Sequence, residues 1–199
     1  MVVSKHAAMA VEAYLTWEPS QELRYEYVNG EVVAMTGGTL PHNDIALNLY
    51  ALLRPHLRQR GCRGNVADAK VKIMANVYRY PDLVVSCDQR DIQAVDAIQY
   101  PRLVVEVLSP GTEALDRGKK FEEYRTLPSL QEYGLIDSTA MTVEIYRRGE
   151  GRLWLYYPYQ TGDLVSFDSL GVSCPIEQIY EGVVLPLAGR SDDALVTIC

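Results

Sequence analysis

Apolar and polar positions near the start of the chain predict a helix followed by a β-hairpin. Residues 8–18 have the spacing of a short amphipathic helix, which Pro19 ends. Residues 24–28 and 31–35 are rich in β-branched and aromatic types and flank the dipeptide Asn29-Gly30. This dipeptide favours a two-residue turn with positive φ at both positions, so the two segments should pair.

A second helix is predicted over residues 41–60. One face of this segment carries the apolar residues Ile45, Leu49, Leu52, Leu53 and Leu57. Pro55 lies inside the pattern and has no amide hydrogen to donate, so we expect a kink or an early end near Arg54.

The middle of the chain is rich in strand patterns. Residues 70–74 alternate in part, as in a half-exposed strand, whereas 82–86 and 103–108 are apolar runs typical of strands covered on both faces. Residues 111–127 then predict a helix, with Thr112 as N-cap and Pro128 as the stop.

The last part of the chain adds three candidate strands, 131–137, 142–148 and 153–157, and then a mixed pattern over 173–199. No repeat or interdomain linker is visible. We therefore expect one α/β (α+β) domain over residues 1–199. Its core should cover about 24–148, and residues 149–199 should add C-terminal strands and a tail.

Composition narrows the class of protein. No run approaches 18 consecutive apolar residues, which argues against a membrane span. Residues 1–10 carry Lys5 and His6 without the long apolar region of an export signal, so a cytoplasmic protein is expected. The cysteines at 62, 87, 174 and 199 form no C-x-x-C pair, which argues against zinc and predicts free thiols.

Charge is unevenly distributed along the chain. The formal net charge is −7, too acidic for a protein that coats nucleic acid through bulk charge. Residues 54–79, however, hold seven basic residues and a single acid, Asp68, a formal charge of +6. The stretch supplies the candidate nucleic-acid contacts Arg58, Arg60, Arg63, Lys70 and Lys72. A solvated face neutralised by nearby acids is the alternative.

Glu106 is the most informative residue, because it lies inside Val-Val-Glu-Val-Leu, the most apolar strand pattern in the chain. An ionised carboxylate buried there must be paired or bound to a metal, since uncompensated burial costs several kcal/mol. Asp82 opens the other apolar run. If the two runs are neighbouring strands, the acids converge, and all-oxygen ligation suits Mg²⁺ or Mn²⁺. A structural Glu106 paired with an arginine is the alternative.

The predicted helix 111–127 supplies a third element. Asp116, Lys120 and Tyr124 are spaced four apart and share one face. They form either a solvated ion pair or a group that brings the Lys120 ammonium to the metal-bound water or the phosphate.

These residues together resemble a widespread bacterial family of restriction-endonuclease-like proteins, the Uma2-like family of the PD-(D/E)XK nuclease superfamily. The resemblance covers about residues 24–148 and continues more weakly to about 186. It rests on six motifs in this order: Asn29-Gly30-Glu31, Pro41-His42, Pro81-Asp82, Leu103 to Pro110 around Glu106, Asp116-x-x-x-Lys120-x-x-x-Tyr124, and Glu132 to Asp137.

The resemblance implies a restriction-endonuclease-like core, a mixed sheet flanked by helices, and Mg²⁺-dependent hydrolysis of DNA. Asp82 and Glu106 would hold the metal, with Lys120 assisting. Glu31 would be a further ligand or proton acceptor, or else a plain hairpin residue. His42 would be a weaker nucleic-acid contact or a structural histidine. The superfamily pattern has lysine two residues after the acid, where this chain has Leu108.

The residues support three hypotheses about function. The first is a Mg²⁺-dependent endonuclease acting on DNA, and the second is a catalytically silent nuclease fold that binds nucleic acid or a protein. The third, prompted by 14 tyrosines, is an interaction protein. No nucleotide cofactor is expected, because no phosphate-binding G-x-x-x-x-G-K-[ST] loop occurs. Nucleases of this superfamily often cut two strands as pairs, which makes a homodimer an expectation.

Overall fold

The computed structural model describes residues 8–35 and 37–186, so the N-terminal segment with Lys5 and His6 and the end of the tail with Cys199 lie outside the described residues. The helical segments are α1 (Val11–Trp17), α2 (Leu40–Gln59), α3 (Gln89–Ile92), α4 (Glu113–Leu115), the π-helical turn π1 (Asp116–Lys120), α5 (Phe121–Tyr124) and α6 (Ile176–Ile179), with 3₁₀ turns at Glu18–Ser20 and Asp168–Leu170. The strands are β1 (Tyr25–Val28), β2 (Glu31–Ala34), β3 (Arg63–Val66), β4 (Val71–Met74), β5 (Val77–Arg79), β6 (Leu83–Ser86), β7 (Leu103–Leu108), β8 (Glu132–Asp137), β9 (Thr142–Arg148), β10 (Trp154–Gln160), β11 (Leu164–Phe167) and β12 (Val172–Pro175).

The strands form a central mixed sheet and two smaller antiparallel sheets. The central sheet has six strands in the order β10-β9-β8-β7-β6-β3, and within it β7 and β8 run parallel while the other neighbours are antiparallel. A four-stranded sheet has the order β2-β1-β5-β4, and β11 pairs with β12. The expected mixed α/β fold with a mixed central sheet and flanking helices is confirmed.

Strand β7 separates two buried clusters. Leu103, Val105 and Val107 pack with α2, α6 and the β11–β12 hairpin, whereas Val104 and Leu108 pack with the four-stranded sheet and Tyr124 of α5. Successive residues of a strand point to opposite faces, so Glu106 belongs to the second face. That face is the one covered by β1, β5 and the helical segment 113–124.

The predicted N-terminal helix and hairpin are both present. Helix α1 ends at Trp17, and β1 pairs with β2 in the register Val28 opposite Glu31. Asn29 has φ 52° and Gly30 has φ 95°, the positive values that the Asn-Gly turn requires. A small aromatic cluster that includes Tyr14, Tyr27 and Tyr78 joins the helix to the four-stranded sheet.

The expectation of an early end near Arg54 is wrong, because α2 continues through Pro55 to Gln59. Leu53 and Leu57, on either side of the proline, are buried in the core, while Pro55 itself faces solvent. Burial of this apolar face over 20 residues outweighs the loss of one backbone hydrogen bond.

The helix expected over 111–127 is shorter and less regular than predicted. Helical turns run from Glu113 to Tyr124 and include the π-helical turn π1. Thr112 makes no side-chain cap, and the amide of Glu113 instead donates to the Ser109 carbonyl. A π-helical turn is rare and frequently occurs at functional sites.

The prediction of free thiols is wrong for two cysteines, because Cys62 and Cys87 form a disulfide that joins the start of β3 to the end of β6. These strands are antiparallel neighbours, and their last pair is Arg63 opposite Ser86. The next residue on each side is a cysteine, so Cys62 and Cys87 lie opposite each other. Cys174 is a buried free thiol.

The later strands match their predicted positions within a few residues, and β9 matches at both ends. Strand β10 extends to Gln160, β3 and β5 were not predicted, and β11 and β12 were expected only as C-terminal strands without positions. No helix among the described residues is both long and apolar enough to cross a membrane.

Candidate active site

Asp82 and Glu106 come together because β6 and β7 are antiparallel neighbours. Leu83 pairs with Val105 and Val84 with Val104, so one further step of the same register places Asp82 opposite Glu106. Asp82 Oδ2 accepts a hydrogen bond of 2.7 Å from the amide of Val107, which fixes the carboxylate at the end of β6. Both acids line one cleft of about 410 Å³.

Lys120 lies at the floor of this cleft, at the end of π1. Its ammonium is 2.9 Å from Asp116 Oδ1 and 3.2 Å from Glu106 Oε1. Despite these short distances, neither carboxylate oxygen receives a hydrogen bond of regular geometry from the described residues. Lys120 is 8 % exposed, whereas Lys119 faces solvent.

Glu26, on β1, is a cleft residue that sequence reasoning missed. Its Oε1 is 3.8 Å from the Lys120 ammonium, and its Oε2 accepts from Arg79 at 2.5 Å. Arg79 also donates two hydrogen bonds to Glu123, at 2.8 and 3.0 Å. The available signal was an acid in the middle of Tyr-Glu-Tyr-Val, a strand pattern in which every other residue is aromatic or β-branched.

The site holds more negative than positive charge. Five carboxylates, those of Glu26, Asp82, Glu106, Asp116 and Glu123, surround the two permanent cations Arg79 and Lys120. Burial raises the pKa of Glu106 well above its usual range. Lys120 opposes this shift, but Asp82, Asp116 and Glu26 reinforce it.

The same acids keep Lys120 charged. Burial alone would lower the pKa of Lys120, yet the charges of Glu106, Glu26 and Asp116 outweigh burial and raise it. A permanently charged ammonium at the bottom of the cleft can bind an oxyanion or orient a water molecule, but it cannot serve as a base.

His42 lies at the more open side of the cleft, near the N-terminus of α2. Its Nε2 is 3.3 Å from Asp82 Oδ2, and both side chains are 19 % exposed. Burial lowers the pKa of His42, but the hydrogen bond and charge of Asp82 outweigh burial and raise it overall. His42 therefore contacts a proposed site acid directly, while its own side chain remains reachable from solvent.

The structure does not bring Glu31 to the cleft. It is exposed at the start of β2, opposite Val28 at the hairpin turn, and it is absent from the cleft lining. The expectation that Glu31 is a metal ligand or proton acceptor is therefore wrong, because its side chain does not line the cleft. Glu26, which faces the interior of the same hairpin, is the hairpin acid that reaches the site.

The basic stretch 54–79 is not one continuous surface. Lys70 is buried and bonded to Glu18 at 2.9 Å, and the Arg63 guanidinium donates to the carbonyls of Asp91 and Ala94. Lys72 lies half-buried on β4. The expectation of a shared nucleic-acid face is wrong for Lys70, whose ammonium is already paired with Glu18, and for Arg63, whose guanidinium is held by backbone carbonyls.

Arg58 and Arg60 are exposed at the C-terminal end of α2. Sixteen residues separate Arg58 from His42, which corresponds to about 24 Å along the helix axis. These arginines therefore lie far from the cleft, at the opposite end of α2.

The residues at the floor suit a divalent cation bound partly by protein and partly by water or substrate. Glu106 Oε1 is buried and lacks a hydrogen bond, and Asp82 lies beside it. No group of three or more His, Cys, Asp or Glu side chains within residues 8–35 and 37–186 is arranged as a complete metal site. Mg²⁺ fits such a site, because it keeps several waters and binds through one or two carboxylates plus substrate phosphate.

Comparison with known proteins finds a matching family model and similar sequences. The family model described as "Uma2: Putative restriction endonuclease" matches residues 11–177. The uncharacterized protein slr1290 of Synechocystis sp. is 40% identical over 176 residues, covering 88% of this chain and 93% of the relative. A second Synechocystis protein, sll1609, also uncharacterized, is 33% identical over 158 residues, covering 78% of this chain and 89% of the relative.

The fold is shared with solved structures, one of which is described as a "putative nuclease belonging to DUF820" from Anabaena variabilis ATCC 29413. It superposes with a TM-score of 0.73 at 18% identity and covers 88% of this chain and 99% of its own. At 18% identity this similarity supports the fold alone.

Proposed function

Because this chain belongs to the family described as "Putative restriction endonuclease", and because its cleft joins two acids to a buried lysine, we propose that it is a divalent-metal-dependent endonuclease acting on DNA. The observation that carries the proposal is the buried Glu106 Oε1, which lacks a hydrogen bond although Asp82 and Lys120 lie beside it. A buried carboxylate oxygen that faces an ammonium at 3.2 Å but accepts no hydrogen bond of regular geometry is rare in a native protein and calls for a functional explanation.

Asp82 and Glu106 would hold Mg²⁺ or Mn²⁺. The metal would supply a bound water of lowered pKa and would screen the charge of the phosphate. Asp82 is prepared for this role by the Val107 amide, which fixes its carboxylate, and by His42, whose contact limits its rotation. Glu106 is held in place by the strand on which it lies, buried on both sides by β6 and β8.

Lys120 would stabilise the negative charge that develops on the phosphate as the phosphodiester bond breaks. Fixed charges of this kind act strongly in a water-excluded site, because they need no reorganisation during the reaction. Asp116 and Glu26 keep Lys120 charged and hold its ammonium at the floor of the cleft. Arg79 in turn holds Glu26 in place through a hydrogen bond. Lys120 thus supplies from the helix the charge that Leu108, a buried leucine on β7, cannot supply from the strand.

The test is cleavage of circular DNA with Mg²⁺ or Mn²⁺, supplied both as supercoiled plasmid and as single-stranded circles, by wild type beside Asp82→Ala and Glu31→Ala; cleavage of either form counts. Wild type and Glu31→Ala should cleave, and Asp82→Ala should not, because Glu31 is outside the cleft. Loss of activity in both variants would contradict the site assignment. Size-exclusion chromatography with light scattering would test the expected homodimer.

A second candidate function is a binding module of the same fold without catalysis. It is favoured by the close contacts of the Lys120 ammonium with Asp116 and Glu106, which already neutralise its charge. Binding of DNA by wild type with no cleavage under any divalent ion would select this function over the nuclease.

A further inference from the structure

The floor of the cleft is recessed from solvent. The side chains of Glu106 and Lys120 are 3 % and 10 % exposed, so access is from the side of Asp82 and His42. The volume of about 410 Å³ falls within the size of small-molecule sites, about 300–1,000 Å³. One nucleotide is of that size, whereas the two backbones of an intact duplex are not.

The cleft walls are largely aliphatic above an acidic floor. The apolar lining residues include Leu23, Val33, Met35 and Leu115, and Leu23 is 52 % exposed at the mouth. An apolar wall offers a contact surface to a nucleobase that has left its stack. Phosphate alone would gain nothing from such a wall.

Charge at the mouth disfavours a duplex. Glu22 and Asp68 line the cleft and are exposed. Arg24 also lines the cleft, but it is paired with Glu18 at 3.3 Å. Duplex DNA carries one negative charge per roughly 1.7 Å of axis and would bring both strands against these acids. The exposed Arg58 and Arg60 lie about 24 Å away along α2 and cannot offset this repulsion at the mouth.

We propose that the cleft takes an unpaired strand of DNA, with one base against the aliphatic lining residues and its phosphate beside Lys120 and the divalent cation that Asp82 and Glu106 would hold. This inference rests on the proposed nuclease function and names its substrate class. Extruding a base from a duplex costs a few kcal/mol, and the cost is least where the strand is already single. The site should therefore select overhangs, gaps or single strands over intact duplex.

Binding provides the first test. Fluorescence anisotropy would compare a labelled single-stranded DNA of 15 nucleotides with the blunt duplex of the same sequence, with Ca²⁺ in place of Mg²⁺. The single strand should bind about tenfold more tightly, the equivalent of about 1.4 kcal/mol of spared unstacking. Equal or tighter binding of the duplex would overturn the inference, and so would tighter binding of unpaired RNA of the same sequence.

A pair of matched variants tests whether the cleft itself is responsible. Leu23→Glu places a charge on the aliphatic wall, and Leu164→Glu places one on β11, where Leu164 is similarly exposed at 58 %. Only Leu23→Glu should weaken binding of the single strand, by about tenfold, the scale of one lost base contact. Equal effects of the two variants would place the bound strand elsewhere.

Cleavage with Mg²⁺ separates this inference from the proposed function. On a duplex with a 3′ single-stranded overhang, cuts should fall within the overhang. Cuts throughout the duplex would overturn the inference and leave a nuclease. Absence of any cut, with the single strand still preferred in binding, would overturn the nuclease proposal and leave the ligand class supported.

Discussion

The Lys120 ammonium lies 3.2 Å from Glu106 Oε1, although the two residues belong to different elements. The superfamily pattern has a lysine on the strand, two residues after the acid, where this chain has Leu108 buried at 2 % exposure in an apolar cluster. The π-helical turn Asp116–Lys120 instead carries an ammonium to the same carboxylate from the helix. The site thus keeps an acid and a lysine together in space without keeping them together in sequence.

Lys120→Met should lower the cleavage rate by about 10²-fold or more, the scale of removing one electrostatic stabiliser. Lys119→Met should cleave like wild type, since Lys119 faces solvent one residue away. Rates would be measured by gel assay below the melting temperature of each variant, because loss of Lys120 also leaves Asp116 and Glu106 without their cation. Equal rates for the two variants would refute the role given to Lys120.

Mg²⁺ or Mn²⁺ should raise the melting temperature of wild type. A ligand at 100 times its dissociation constant stabilises the folded state by about 2.7 kcal/mol if it does not bind the unfolded chain. The double variant Asp82→Asn/Glu106→Gln keeps the shape of both side chains but removes their charge, so its melting temperature should not respond. An equal rise in both proteins, measured by differential scanning fluorimetry, would mean that the ion binds elsewhere.

Arg79→Met should be strongly destabilising. Arg79 is 3 % exposed and bonded to both Glu26 and Glu123, and removing it leaves Glu123 without its cation and Glu26 with only the Lys120 ammonium, 3.8 Å away. Breaking a buried pair in this way costs about 3–5 kcal/mol. Arg90→Met is the control, because Arg90 is exposed and pairs with Asp88 on the surface. Urea unfolding would check both, and an Arg79→Met protein as stable as wild type would disprove the network.

The sequence predicted the elements whose signal is local. The apolar run around Glu106 predicted both ends of β7, because a strand buried on both faces is apolar throughout. Asn29-Gly30 predicted the hairpin, because few residue types accept the positive φ of its turn. Asp82 and Glu106 were also predicted to converge if their strands were neighbours, which they are.

The features that were missed depend on contacts between distant segments. Glu26 reaches the cleft only because β1 pairs with β5, which carries its partner Arg79. Cys62 and Cys87 meet only because β3 pairs with β6, and their spacing of 25 residues carries no local signature. The sequence likewise could not show that Arg63 and Lys70 are already bonded within the fold.

The disulfide should contribute measurably to stability. A cross-link that closes a loop of this length restricts the unfolded chain and stabilises the fold by about 3 kcal/mol. Cys62→Ala should therefore unfold at lower urea concentration than wild type without reductant. With dithiothreitol, which cleaves the disulfide in wild type, the gap between the two proteins should close. A gap that persists unchanged after reduction would show that the effect comes from packing and not from the cross-link.

Glu18 should make stability depend on acid pH. It is 2 % exposed and accepts hydrogen bonds from Lys70, Tyr80 and Arg24 at 2.9, 2.7 and 3.3 Å. Burial raises the pKa of Glu18, but these partners outweigh burial, and the pKa lies below its ordinary value.

Because the folded-state pKa of Glu18 is depressed, its contribution is fully present above the pKa of an unfolded glutamate, about 4.3, and is lost as pH falls through the folded pKa. Glu18→Gln should therefore be less stable than wild type at pH 7, by about 3 kcal/mol if the loss resembles that of a buried pair. The difference should shrink steadily at pH 4 and pH 3 in urea titrations. Glu12→Gln, on an exposed position of α1, should match wild type at every pH. A difference between Glu18→Gln and wild type that is constant from pH 7 to pH 3 would mean that shape, and not the charge of Glu18, holds the α1 region against β5.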